Sequence, residues 1–417
     1  MSPPRRKRAP REALLSACLI VKDEERMLPG CLASLRPYAD EVIVVDTGSR
    51  DRTAQLAAEA GCTVLHLPWP GSFAKARNAA LARASGRWIL SIDADERLMA
   101  APRLRRMLRA TPPRVGAYAV AQHNVVRVSG TGQREVHPVD VLRLFRRHPR
   151  IRFEGDIHER VDDTVRASGL ALRASNLGLL HLTYELPPGY VELKQARYLR
   201  MLHRALRQDA ADGWARFQRG KTLMGMGRYG DALRDLREVA ATRAVAPSIR
   251  ALSLDYLGIH AYEHGQPEEA LDCAARSLAL APAQSFAWFV RAQAHFKQQA
   301  WREALGAFSR MRVAGAPAGT RRPMTGDLAL TRPQRAFHRG RCLLAMGRVD
   351  AAAREFERGL RLSPEDAPCH LGLAYVARAR RDSLGARRHL REALRLDEGW
   401  KTPRELLARW SEGTGGA

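Results

Sequence analysis

The chain has 417 residues, of which 45% are hydrophobic and 27% charged, and this balance excludes an intrinsically disordered protein. Its length exceeds what one hydrophobic core usually supports, so we expect two domains. Lys and Arg outnumber Asp and Glu by 69 to 44, and the net charge of +25 would attract phosphorylated ligands, anionic lipid or nucleic acid.

The positive charge is spread along the whole chain and is carried almost entirely by arginine. Such a bias reflects coding preference as readily as a binding surface, and no aromatic residues alternate with the arginine clusters as single-stranded nucleic acid would require. We therefore expect no nucleic-acid partner. The six cysteines form no C-x-x-C pair, which argues against a zinc site or disulfide framework and favours a reducing cytoplasm.

The N-terminal residues 1–12 are predicted to be a basic disordered tail. Together with the apolar run at 13–21 they resemble a signal peptide, but acidic residues follow without a small-residue cleavage site. No stretch reaches the length of a membrane-spanning helix. We expect a cytoplasmic protein. Its basic tail is compatible with peripheral contact at the inner face of the membrane.

Residues 13–188 alternate short apolar runs with helical patterns, which is typical of an α/β domain with a mostly parallel sheet. The predicted strands, in chain order, are 15–21, 41–45, 63–67 and 87–92. The predicted helices between them are 24–35, 51–60 and 72–85. Open sheets of this kind bind ligands at the carboxyl ends of their strands.

The sequence changes character at residue 189 to helical segments rich in Ala, Leu and Arg. We predict a connecting helix at 189–212, helical hairpins over 213–410 and a flexible tail at 411–417. Small and turn residues recur in register through the hairpins, which argues against unrelated helical pairs.

The recurring small residues give the period of these hairpins. Gly258 and Ala292 are 34 residues apart, as are Gly340 and Ala374, and 34 residues is the period of tetratricopeptide repeats. One spacing is longer, and the Gly-, Pro- and Arg-rich residues 313–331 predict a loop inserted there. The second half is therefore predicted to be an all-α tetratricopeptide-repeat solenoid.

Two predicted strands end in carboxylates. Asp93 and Asp95 follow strand 87–92 and point the same way from an extended backbone, so both can approach one Mg²⁺ or Mn²⁺ ion bound to a diphosphate. A solvated acidic turn is the alternative. Asp46 ends another strand and precedes Gly48 and Ser49; helix capping would explain Ser49 but leaves Asp46 unexplained.

Three segments of the first half resemble family 2 glycosyltransferases of the GT-A fold, and the closest resemblance is to bacterial enzymes followed by tetratricopeptide repeats. These segments are Val44-Val45-Asp46-Thr47-Gly48-Ser49, Ala76-Arg77-Asn78 and Ser91-Ile92-Asp93-Ala94-Asp95-Glu96. The resemblance implies that Asp46 binds the nucleoside, that Asp93 faces the ribose or the metal, and that Asp95 ligates the metal.

The resemblance extends to residues that contact the nucleotide and the acceptor. Gly48, Ser49, Lys75, Arg77 and Asn78 are expected at the nucleotide, although a solvated helix face explains Lys75 equally well.

The segment around residues 153–159 resembles the His-Glu segment of these enzymes. Glu159 is the first candidate for the catalytic base and Asp156 the second. An ion pair of Glu159 with one of the abundant arginines, such as Arg160 or Arg152, is the alternative. His181 resembles a histidine that completes the metal site, and a purely structural histidine is the alternative there.

These features together predict metal-dependent, inverting transfer of a hexose from a nucleoside diphosphate sugar, with UDP as the favoured nucleotide. The acceptor is a glycan, a lipid-linked sugar or a peptide side chain, and the repeats are expected to hold the acceptor or a partner. A nucleotidyltransferase is disfavoured because no Gly-rich phosphate loop follows the first strand. A peptide-binding scaffold with an inactive glycosyltransferase-like domain is the second hypothesis.

Overall fold

The computed structural model describes residues 13–128, 134–182, 189–313 and 328–412. The described chain forms two compact units. The sheet unit contains the described residues of 1–122 and 141–181. The repeat unit contains those of 123–140, 182–316 and 326–417. The predicted tail at 1–12 and the end of the predicted tail at 411–417 lie outside the described residues.

The first half of the chain alternates strands and helices. Its strands are β1 (Leu15–Val21), β2 (Glu41–Asp46), β3 (Thr63–His66), β4 (Trp88–Ser91), β5 (Glu96–Leu98), β6 (Val115–Val128), β7 (Arg134–Arg146) and β8 (Ala171–His181). Its helices are α1 (Leu28–Leu35), α2 (Thr53–Glu59), α3 (Phe73–Arg83), α4 (Leu104–Ala110) and α5 (Asp162–Ala167).

These strands form one mixed sheet in the order β3-β2-β1-β4-β7-β6-β8-β5. The β3, β2, β1 and β4 strands are parallel, and β1 is almost wholly buried because helices can cover both faces of such a sheet. The β4–β7 and β5–β8 pairs are antiparallel. The parallel strands were predicted, whereas the antiparallel half was not.

The predicted helix at 24–35 begins four residues too early. The backbone N–H groups of Glu24 and Glu25 donate to Thr53 Oγ1 at 2.7 Å and Asp51 Oδ2 at 3.0 Å, so the chain around them forms a loop. The helix therefore begins at Leu28. Two neighbouring loops, one after β1 and one after β2, are thereby tied together at the edge where the parallel strands end.

The second half of the chain is helical. Its helices are α6 (Tyr190–Gln208), α7 (Gly213–Gly225), α8 (Tyr229–Ala241), α9 (Pro247–Glu263), α10 (Pro267–Leu280), α11 (Ser285–Lys297), α12 (Trp301–Arg310), α13 (Arg332–Ala345), α14 (Val349–Leu362), α15 (Ala367–Ala379), α16 (Ser383–Leu396) and α17 (Lys401–Glu412). Helices α7 to α16 pack as five successive hairpins. The predicted α/β domain followed by an all-α solenoid is confirmed.

The turn between the two helices of each hairpin takes a left-handed backbone conformation at one repeating position. Three hairpins place glycine there, at Gly227, Gly265 and Gly347, with φ of 73°, 80° and 74°. The other two place Gln299 and Arg381 there, with φ of 60° and 62°. The repeats therefore share one turn geometry even where the sequence has no glycine to reveal it.

The described residues of the β6–β7 segment 123–140 belong to the repeat unit. The Pro138 carbonyl accepts from Ala329 N at 2.9 Å, and the Val136 carbonyl accepts from Gln334 Nε2 at 3.0 Å. Asp140 is 4% exposed and pairs with Arg312 at 3.0 Å. Most of the predicted inserted loop, residues 314–327, lies outside the described residues, and its flanks are held by these contacts.

None of the helices in the described ranges is long and apolar enough to span a membrane.

Candidate active site

The loop after β2 is organised around Asp46. Its side chain is buried, and Oδ1 accepts from the backbone N of Ser49 at 3.0 Å and from Ser49 Oγ at 2.5 Å. His66 Nδ1 lies 3.4 Å from the other oxygen. Gly48 permits this turn because its φ is +102°, a conformation that side chains disfavour. Asp46 thus shapes the loop at the carboxyl end of β2.

The loop after β1 is bonded reciprocally to the loop after β2. Asp23 N donates to Ser49 Oγ at 2.9 Å, and Arg50 N donates to Asp23 Oδ1 at 2.7 Å. Asp23 has a φ of +55°, which Asp and Asn tolerate better than most residues. Asp23 therefore acts as a turn residue that joins the two loops.

The carboxylate of Asp93 lies between two guanidinium groups. Oδ1 is 2.7 Å from Arg77 Nη2, and Oδ2 is 2.6 Å from Arg143 Nη2. Burial alone would raise the pKa of Asp93, but the charges of Arg143 and Arg77 outweigh it and hold that pKa well below its usual range. Asp93 is therefore ionised and charge-compensated.

Arg77 reaches this carboxylate from helix α3. Ser72 caps the helix by accepting from Lys75 N at 3.3 Å, and Lys75 itself is exposed. The buried Arg77 guanidinium donates to Ser91 at 3.0 Å, to Asp93 and through Nε to Glu159. One side chain therefore ties the end of β4 to the segment that contains Glu159.

Asp95 and His181 lie close together, with 3.3 Å between Oδ2 and Nε2. The antiparallel register of β5 and β8 pairs Glu96 with His181 and so brings the histidine to the end of β4. Burial alone would lower the pKa of His181, but the hydrogen bond and charge of Asp95 raise it.

Glu96 and Arg143 bind Asp93, Gln122 binds Glu96, and none of the three was singled out from the sequence. Glu96 is fully buried; its Oε2 accepts from Asp93 N at 2.8 Å and its Oε1 accepts from Gln122 Nε2. Burial raises the pKa of Glu96 above its usual range. The adjacency of Glu96 to the D-x-D pair was a usable signal, whereas Arg143 is one arginine among many.

Asn78 positions the strand-like segment that leads to Glu159. Its Nδ2 donates to the Phe153 carbonyl at 2.9 Å, and its Oδ1 accepts from Phe153 N at 2.9 Å. Both ends of the amide are thus engaged with the backbone of this segment.

Glu159 pairs with Arg77, and its side chain is 9% exposed. The ion-pair alternative is therefore realised with Arg77 as the partner, whereas Arg160 pairs with Asp163 and Arg152 pairs with Glu154.

Asp156 is exposed, and its carbonyl accepts from Phe73 N at 2.9 Å, at the start of α3. Both candidate bases are thereby linked to α3, Glu159 through the side chain of Arg77 and Asp156 through its own backbone.

Residues 13–128, 134–182, 189–313 and 328–412 contain no group of three or more His, Cys, Asp or Glu arranged to hold a metal ion. Among the described residues, Asp95 and His181 are paired with each other, and the Asp93 carboxylate is bound to two arginines.

The mixed α/β sheet thus carries Asp46, Asp93 and Asp95 at the carboxyl ends of its strands. Residues 16–170 match the family model described as Glycosyl transferase family 2, and residues 257–319 and 337–403 match the one described as Tetratricopeptide repeat. The chain contains a family 2 glycosyltransferase domain followed by tetratricopeptide repeats.

Several known proteins are similar to this chain. It is 43% identical over 155 residues to a TPR repeat-containing protein of Synechococcus elongatus, covering 37% of each chain. It is 34% identical over 174 residues to the lipopolysaccharide core biosynthesis glycosyltransferase LpsC of Rhizobium meliloti, covering 40% of this chain and 62% of that one. The chain thus spans less than two thirds of either relative.

A solved structure of the APC/C hetero-tetramer Cut9-Hcn1 is 18% identical, with a TM-score of 0.41, over 52% of this chain and 40% of that one.

Proposed function

We propose that this protein transfers a hexose from a nucleoside diphosphate sugar, with UDP as the favoured nucleotide, to its acceptor with inversion. The observation that carries the proposal is the shared sheet edge of Asp46 and Asp93: Asp46 ends β2 and Asp93 follows β4, and these two strands lie on either side of β1. Asp46, Gly48 and Ser49 bind the nucleoside side of the donor in this proposal, and Lys75 contacts the nucleotide.

The proposed metal is Mg²⁺ or Mn²⁺, held by Asp95 and His181. One carboxylate and one imidazole fit such an ion when the diphosphate and water supply the remaining ligands. A bound divalent cation neutralises the diphosphate and assists its departure. Asp93 is the third proposed ligand, and its carboxylate has to exchange an arginine for the ion.

Glu159 is the proposed base that removes the acceptor proton, and Asp156 is the second candidate. The ion pair with Arg77 orients the Glu159 carboxylate beside the donor-binding residues. A base in this place serves an inverting transfer, in which the acceptor attacks opposite the departing diphosphate.

The acceptor in this proposal is a glycan, a lipid-linked sugar or a peptide side chain. The repeats hold it or a partner protein, because repeat solenoids present extended binding surfaces. The likeness to a lipopolysaccharide core biosynthesis glycosyltransferase favours a glycan or lipid-linked acceptor. The peptide-binding scaffold with an inactive head remains the second candidate, since the repeats match a family of their own.

Thermal stabilisation by nucleotide sugars tests the proposal. UDP-sugars with Mn²⁺ are expected to raise the melting temperature of the full chain, and EDTA to abolish the effect, because ligands that bind the folded state stabilise it. Asp95→Ala should lose both this stabilisation and metal-dependent sugar hydrolysis. Full activity in Asp95→Ala would overturn the metal site, and absence of turnover with any donor, together with tight peptide binding, would favour the scaffold.

A further inference from the structure

The two arginines that bind the oxygens of Asp93 differ in how firmly other residues hold them. Arg77 has a side chain 7% exposed and donates to Glu159 and Ser91 as well as to Asp93. Arg143 has a side chain 16% exposed, and beyond its bond to Asp93 it lies 3.7 Å from Glu96 Oε1, outside hydrogen-bonding distance. Arg143 therefore has fewer hydrogen bonds to other residues than Arg77 and can leave Asp93 more easily.

The two arginines that hold the oxygens of Asp93 oppose a metal ion at this carboxylate, although Asp95, Glu96 and Glu159 place negative charge in the same cluster. A divalent cation next to Asp93 would meet the positive charges of Arg77 and Arg143 within the same partly buried cluster. A diphosphate that arrives with the cation offsets this repulsion. It also provides a new partner for a displaced guanidinium, whose planar fork matches phosphate oxygens.

We propose that Arg143 is a donor-binding residue that covers Asp93 Oδ2 in the free protein and transfers to the diphosphate when the donor enters with its cation. This inference rests on the proposed function. It assigns Arg143 two successive partners, a carboxylate and then a phosphate, and makes the binding of cation and nucleotide mutually dependent.

The transfer predicts effects of opposite sign on two binding constants. Arg143→Gln uncovers Asp93 and removes a nearby positive charge, so Mn²⁺ alone is expected to bind about threefold or more tightly. The same variant lacks the guanidinium that receives the diphosphate, so UDP at saturating Mn²⁺ is expected to bind about tenfold or more weakly, the effect of losing one charge-assisted hydrogen bond.

The measurements are Mn²⁺ titration followed by electron paramagnetic resonance and calorimetric titration of UDP, GDP and dTDP at saturating Mn²⁺, on the full chain. Arg143→Lys keeps the charge and guards against a fold defect; we expect its Mn²⁺ affinity to stay near the wild-type value and its nucleotide affinity to fall several-fold. Arg105→Gln is the matched control, since Arg105 pairs with Asp40 in the same unit at 2.8 Å.

The outcomes separate this inference from the function on which it rests. A wild-type chain that binds none of the three nucleoside diphosphates overturns the proposed function, and the inference falls with it. A wild-type chain that binds one of them, while Arg143→Gln weakens both constants or changes neither, overturns the inference alone. Opposite shifts in the two constants, absent in Arg105→Gln, support it.

Discussion

Arg77 Nη2 lies 2.7 Å from Asp93 Oδ1, and through its Nε the same guanidinium binds Glu159. The carboxylate at the end of β4 and the candidate base are thus held by one buried cation. The proposed donor and acceptor sides of the site share Arg77 as a common support, and its removal should disturb both.

Arg77→Ala is expected to destabilise the sheet unit strongly. The substitution leaves Asp93 and Glu159 without their common partner, and breaking a buried ion pair in this way costs about 3–5 kcal/mol. Urea and thermal unfolding measure the change. Arg166→Ala is the control, because Arg166 and Asp163 pair on the surface with side chains 51% and 61% exposed. Equal losses of unfolding free energy in Arg77→Ala and Arg166→Ala would contradict a stabilising role for the buried Arg77 ion pairs.

Glu159→Gln is expected to lower kcat by about 10²- to 10⁴-fold, the usual contribution of a general base. The amide keeps the shape of the side chain and can still accept from Arg77, so nucleotide binding should be unchanged. Steady-state kinetics and UDP calorimetry measure the two quantities. Asp156→Asn, at an exposed position, should have the smaller effect. The reverse ranking would move the base to Asp156.

Asp140 predicts a pH-dependent stability of the repeat unit. Burial raises its pKa to about 6, although Arg312 opposes the shift. Since the folded value exceeds the ordinary one of 3.8, this contribution is fully present below about pH 4 and is lost as pH rises through about 6. The loss amounts to about 3 kcal/mol at most, at about 1.36 kcal/mol for each pKa unit.

Asp140→Asn removes the titrating group. We expect the difference in free energy of unfolding between wild type and Asp140→Asn to shift in favour of the variant from pH 4 to pH 7. Urea unfolding monitored by tryptophan fluorescence over this range tests it. A pH-independent difference would show that Asp140 titrates alike in the folded and unfolded chain.

Gln299→Gly and Arg381→Gly are expected to stabilise the repeat unit by about 0.5–1 kcal/mol each. A left-handed residue other than glycine is strained by about 1–2 kcal/mol, and the greater freedom of glycine in the unfolded chain offsets part of the gain. Both side chains are exposed, so little packing is lost. Gly347→Ala, at the equivalent turn, should destabilise, and thermal unfolding compares all three. A fall in stability for both glycine variants would refute shared turn strain.

Local patterns predicted the four parallel strands and the helical hairpins of the second half. Apolar runs such as residues 15–21 and recurring small residues such as Gly258 and Ala292 are properties of short segments, and both appear in the structure at the predicted places. The left-handed turns at Gln299 and Arg381 were not predicted, because neither position has a glycine, as Gly265 does, to indicate that conformation.

The surroundings of the candidate site depend on pairing between distant strands. The register of β4 with β7 sets Leu90 opposite Leu144 and brings the neighbouring Arg143 to the end of β4. The register of β5 with β8 likewise brings His181 to Asp95. Nothing in the residues near Arg143 distinguishes it from other arginines, so its position beside Asp93 could not be predicted without the fold.

The sequence by itself determined the class of each half and the aspartates at the strand ends, because strand periodicity, repeat length and the D-x-D spacing are short-range signals. Tertiary structure alone decided which charges meet. Arg77 and Glu159 are 82 residues apart in the chain, and Arg143 and Asp93 are 50 apart. In a chain so rich in arginine, many partners are chemically equivalent, and only strand register and burial select among them.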